Sequence, residues 1–176
     1  MTDTSFRSIR PKSDEHIAYY STYIDRVPDG DIVEILKKDT PQTLAFLRSI
    51  PDDRLDYRYA PGKWNVRQIV GHLADGERVF QYRAWRFSRA DTIPVPGFDE
   101  NLYVDNAPFE NVSMPDLIDE FDALRRASIH LFSNMSEEAM ARRGVANGHE
   151  ISVRAIAFII AGHVTHHLQV LKERYL

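Results

Sequence analysis

The stretch Ser152-Val-Arg-Ala-Ile-Ala-Phe-Ile-Ile-Ala-Gly-His-Val-Thr-His-His-Leu-Gln-Val-Leu171 decides the fold. Ser152 is a suitable helix N-cap, and Ala155, Ile156, Ile159, Ile160, His163, His167 and Leu171 recur at helical spacing. On a wheel of ~100° per residue with Ile156 at zero, Ile160 lies near ~40°, His163 near ~−20° and His167 near ~20°. The longest apolar run, Ala155 to Ala161, is far below the ~20 residues needed to cross a bilayer. The segment therefore reads as the core-facing helix of a globular domain, with two histidines one turn apart inside its apolar stripe. Burying both imidazoles there is costly unless they share a partner.

Three further helices lie upstream. One starts at Ser113 or Met114, with Pro115 in its first turn, and carries Leu117, Phe121, Leu124, Ser128 and Leu131. Another opens on Asn65, with Gln68 completing a capping box, and places Val66, Ile69, Leu73, Phe80, Ala84 and Phe87 on one face before Pro94, Pro96 and Gly97 end it. From Asp31, Ile32, Ile35 and Leu36 and then Leu44 and Leu47 are helically spaced, and Pro41 either kinks one long helix or begins a second after Thr40. Ser136 to Ala139 is a short helical start, and Phe98 to Val104 is irregular with room for a helical turn. Arg142 to Glu150 reads as a loop with an Asn147-Gly148 turn pair. No segment alternates convincingly as a strand. Four substantial helices with a long middle connection predict an all-α four-helix bundle over residues 31–176. Residues 1–30, with Tyr19, Tyr20 and Tyr23, form an N-terminal arm expected to lie on its surface.

Composition narrows the chemistry. The 176 residues have ordinary globular proportions, 43% hydrophobic and 27% charged, which suits one domain. There is no Cys, so disulfides, thiolate metal ligands and a cysteine nucleophile are all excluded. With 22 Lys+Arg against 26 Asp+Glu the net charge is −4, which argues against broad affinity for nucleic acid. Arg83, Arg86 and Arg89 recur every three residues and read as a solvated basic stripe. The N-terminus has no secretory h-region, and a cytoplasmic, membrane-free protein is expected.

Any metal site must therefore be built from His, Asp or Glu. His163 and His167 are its core. His72 lies at the edge of the apolar face of the Asn65 helix, and spacing alone leaves open whether it joins them. If it does, three neutral imidazoles would hold a divalent ion with positions left open, the arrangement of a catalytic site. Asp75, three residues on, is placed to orient the His72 ring. His166 points to the flank, His16 lies in the arm, His130 on a polar helix face, and His149 in a loop where it is a candidate for a pocket rim.

The stretches Ala60-Pro-Gly-Lys-Trp-Asn-Val-Arg-Gln-Ile-Val-Gly-His-Leu-Ala-Asp75, Pro96-Gly-Phe-Asp-Glu100 and Ala161-Gly-His-Val-Thr-His-His-Leu168 together resemble the DinB/YfiT-like superfamily. The likeness runs over roughly residues 31–176. It implies an up-up-down-down four-helix bundle, often a homodimer, with a divalent metal such as zinc or nickel held by His72, His163 and His167. Members that look like this chain include S-transferases and isomerases using low-molecular-weight thiols, and metal-dependent hydrolases. The resemblance thus leads to an expected metal-dependent transferase that activates an outside thiol and acts on a small-molecule substrate. The alternatives are a hydrolase using metal-activated water and a non-catalytic metal-binding stress-response protein. Asp75, Asp99 and Glu100 are the candidate catalytic carboxylates.

Overall fold

The computed structural model describes residues 4–176. Its frame is α2 (Ile32–Arg48), α3 (Val66–Ser88), α5 (Met114–Ser133) and α7 (Val153–Arg174), with the short helices α1 (Ser21–Ile24), α4 (Glu100–Asn106) and α6 (Glu137–Ala141) between or before them. Side chains satisfy the first amides of the four long helices. Asp31 accepts from Val33 N and Glu34 N, Asn65 and Gln68 form a reciprocal capping box, and Ser113 and Ser152 accept from Asp116 N and Ala155 N. Pro41 lies inside a single continuous α2, and one residue before it the Thr40 hydroxyl donates to the Leu36 carbonyl at 2.6 Å.

The apolar core forms two clusters stacked along the bundle. One joins the start of α2 (Ile32, Leu36) and of α7 (Ile156, Phe158) to the end of α3 (Phe80, Phe87) and of α5 (Phe132). The other joins the ends of α2 (Leu44, Leu47) and α7 (Val164, Leu171) to the starts of α3 (Val66, Leu73) and α5 (Met114, Leu117). Around the bundle, α7 and α2 therefore run one way and the neighbouring α5 and α3 the other; along the chain the directions are up, down, down, up. Between the clusters lies a buried ion pair. Arg125 Nε and Nη2 donate to Glu77 Oε1 and Oε2 at 3.0 and 2.8 Å, with the two side chains 1% and 2% exposed.

Two segments depart from the sequence expectation. Arg142 to Glu150 is not a loop: β1 (Arg143–Ala146) and β2 (His149–Ser152) form an antiparallel hairpin closed by Asn147 and Gly148 at φ of 52° and 76°. Positive φ at both turn residues is the geometry that Asn-Gly favours, while four-residue strands are too short to show a clear alternation. The segment Phe98 to Val104 is mostly helical, because Asp99 caps α4 by accepting from Asn101 N and Leu102 N at 3.0 and 3.1 Å.

The arm is docked rather than draped. Ile24 and Val27 are buried, and α1 packs on α7 where Gly162 leaves room. A Cβ at Gly162 would lie 2.0 Å from the Tyr23 carbonyl oxygen. The Ser152 hydroxyl that caps α7 also donates to Glu15 Oε2 at 2.7 Å, tying the arm to the hairpin end of that helix.

Candidate metal centre

The antiparallel packing of α3 on α7 brings the early turns of one beside the later turns of the other. His72 Nε2 lies 3.0 Å from His163 Nε2, which lies 3.1 Å from His167 Nε2. His72 and His163 are 6% and 5% exposed, and the cluster sits in a niche whose shape depends on Gly76. A Cβ at Gly76 would meet His163 Cε1 at 2.9 Å. The Trp64 ring covers His72 at 4.7 Å between centroids, and Tyr23 meets the His163 ring edge-on at 5.3 Å.

Burial holds these rings neutral. Desolvation lowers His72 to about 4. It also takes His163 and His167 well below the usual histidine value, with His167 and His72 adding repulsion at His163, and His72 and His166 adding it at His167. Neutral imidazole is the form that ligates metals. The geometry agrees. Both short contacts converge on His163 Nε2, so without an ion two N–H donors would have to share its single in-plane lone pair, whereas one cation would take a lone pair from each of the three rings. Nitrogens bound tetrahedrally at ~2.0–2.1 Å stand roughly 3.3 Å apart, close to the spacing seen here. The donor set thus fits a divalent metal ion, and the three ligating atoms lie within 4.8 Å of one another.

The triad opens into a cavity of about 370 Å³, walled by Tyr20 and Tyr23 from the arm, Trp64, Phe80 and Arg83 around α3, and Phe98 and Glu100 at α4. Residues 35–171 match the DinB superfamily. The chain belongs to that family. A relative from Oceanobacillus iheyensis, OB0413, provisionally named a metal-dependent hydrolase, is 29% identical over 154 residues, covering 84% of this chain and 87% of the relative. Among solved structures, YfiT from Bacillus subtilis, described as a probable metal-dependent hydrolase with an unusual four-helix bundle topology, is similar in fold. Its TM-score is 0.72 at 19% identity, over 94% of this chain and 90% of YfiT.

Within this DinB-superfamily fold the candidate carboxylates separate. Glu100 lines the cavity. Asp99 is exposed and occupied in capping α4. Asp75 does not orient His72: it accepts from Arg78 Nη1 at 3.2 Å, because Arg78 lies one turn further along the same side of α3, and it borders a separate surface depression with Leu102 and Tyr103. No carbonyl or carboxylate holds the Nδ1 atoms of the triad among the described residues. His166 reaches the cavity and stacks edge-on with Tyr23, whereas His149 borders a different, smaller cleft. His16 is buried with Nδ1 at 2.9 Å from the Ile17 carbonyl, and His130 is exposed.

The basic stripe dissolves on folding. Arg83 is buried, Arg86 pairs with Asp91, and Arg89 donates to Ser88 Oγ. Sequence reading missed Phe80 and Arg83 as cavity residues. The signal was present in the spacing 72, 76, 80, 83, which keeps His72, Gly76, Phe80 and Arg83 on one face of α3. Among the described residues, no helix is long and apolar enough to cross a membrane.

Proposed function

We propose that this chain is a divalent-metal-dependent hydrolase of small molecules, with His72, His163 and His167 as the metal ligands. The observation that carries the proposal is the convergence of three neutral imidazole nitrogens, those of the buried His72 and His163 and the half-buried His167, in the lining of an open cavity. Bound there, a divalent ion would supply Lewis-acid activation of water and of the substrate oxygen. The protein's part is to hold the imidazoles deprotonated, to line the approach with Tyr20, Tyr23, Phe80 and Trp64, and to present a carboxylate. Among the described residues Glu100 is the one carboxylate lining the cavity, and its Oε atoms are assigned to accept the proton of the attacking water. The names of OB0413 and YfiT support hydrolysis over thiol transfer. A homodimer and a cytoplasmic location are family-derived parts of the proposal, and sedimentation velocity reads the first of them.

The test uses protein purified without a His-tag. Elemental analysis should find stoichiometric metal, and p-nitrophenyl esters should turn over with metal and no added thiol. His163→Ala should lose both while keeping its helical circular dichroism, and Glu100→Gln should keep metal but lose most turnover. Turnover that appears only when a low-molecular-weight thiol is added would replace the hydrolase by the transferase, and metal retained by His163→Ala would overturn the ligand assignment.

A further inference from the structure

Arg83 is 3% exposed and lines the same cavity as the histidines. Its Nη2 donates to the Pro96 carbonyl at a long 3.3 Å, its guanidinium lies 5.8 Å from the Phe80 ring centre, and Tyr20, which lines the same cavity, stands near enough to feel its charge. None of these neighbours is an anion. Among the described residues no carboxylate comes within ion-pair distance of Arg83; Glu100, which lines the same cavity, is exposed and forms no ion pair with it. The contrast with Arg125 is direct, because that equally buried guanidinium is met by both oxygens of Glu77. A guanidinium has five N–H donors in a planar fork suited to a carboxylate, and a buried cation without a counter-ion is costly to maintain.

The placement along α3 says where an anion would bind. Arg83 follows His72 by eleven residues, roughly 16 Å of helix rise, and long helical side chains lean back toward the N-terminus. Phe80 stands between the two, 6.1 Å from the His163 ring on one side and 5.8 Å from the Arg83 guanidinium on the other. Among the described residues Arg83 is the one guanidinium in the lining and no lysine joins it, a single positive charge that matches a carboxylate better than a phosphate dianion.

We propose that the cavity selects a carboxylate-bearing substrate: Arg83, with the Tyr20 hydroxyl beside it, binds a terminal carboxylate, Phe80 packs the apolar segment, and the bond to be cleaved lies at the His72–His163–His167 end. The identity of the reacting end rests on the hydrolase reading; the carboxylate subsite does not.

Calorimetric titration of phenylbutyrate, phenylbutanol and phenylbutylamine into the full chain tests the subsite without catalysis. His72→Ala protein serves as the background, since it removes the imidazole-held ion as a rival anion acceptor. The acid should bind about tenfold or more tighter than the alcohol, as expected for a charge-assisted pair, and the amine should bind weakest. Arg83→Gln should erase the preference for the acid while leaving alcohol binding in place. Equal binding of acid and alcohol, no binding of the acid, or an acid preference that survives Arg83→Gln overturns the proposal. Phenyl phosphate binding more tightly than the acid overturns its single-carboxylate form. If Arg83→Gln does not fold, the ranking of the three probes on the background protein still decides. Acid binding without ester turnover in wild-type protein would count against the hydrolase reading alone.

Discussion

His72, His163 and His167 are bases kept from water by the rings around them, and this gives the metal-free protein a definite response to acid. Each has a folded-state pKa below the value of 6.5 expected in an unfolded chain. Between the two values the unfolded chain binds more protons, so stability is full above about pH 6.5 and is lost as pH falls toward about 4. For His72 the displacement to about 4 corresponds to about 3 kcal/mol. The urea midpoint of metal-free protein should therefore drop between about pH 7.5 and about pH 5, and His72→Leu should flatten the drop. An identical pH dependence in that variant would mean that the His72 ring is already solvated. Bound metal, by holding the nitrogens deprotonated, should move the loss to lower pH.

At the scale of elements, the cavity depends on a contact between two pieces of chain that are distant in sequence. Gly162, beside His163, lets the Tyr23 carbonyl close on α7, and the same contact holds Tyr20 and Tyr23 against the cavity. Gly162→Ala should push α1 away and cost ~1–3 kcal/mol, the usual range for forced overpacking. Amide exchange over residues 17–27 should accelerate while that of α3 stays unchanged; an arm that exchanges as slowly as before would refute the contact's importance. The same example marks what the sequence could reveal. Helix starts were legible because a cap such as Asn65 with Gln68 is a local device, and the pairing of His163 with His167 on α7 was legible because the two share a helix face. The docking of the arm and the cavity role of Arg83 were not, since each depends on where Tyr23 and Pro96 arrive in three dimensions, whereas the partner of Asp75, Arg78, lies three residues on along the same helix and was open to a reading of the spacing.

Across the whole molecule, two apolar clusters are separated by one buried ion pair. Removing one partner should be severe: Glu77→Ala leaves the Arg125 guanidinium uncompensated, and a loss of ~3–5 kcal/mol is expected by chemical denaturation. Replacing both, as Glu77→Leu with Arg125→Met, should restore most of that stability. If the double variant is no more stable than Glu77→Ala, the layer contributes net stability that apolar packing cannot reproduce.

That layer also acts as a vernier. Apolar stripes on parallel and antiparallel helices still mesh after sliding by one turn, ~5.4 Å, but a two-pronged guanidinium–carboxylate fork does not. Arg125 grips Glu77 on α3 and reaches the Ile160 carbonyl on α7 at 3.4 Å, one turn before His163. It thereby fixes the axial alignment of the two helices that carry His72 and the His163–His167 pair. Thermal endurance and alignment of the imidazoles are thus separable properties, and the double apolar variant is where they part: a bundle that still melts late, with three histidines that no longer meet.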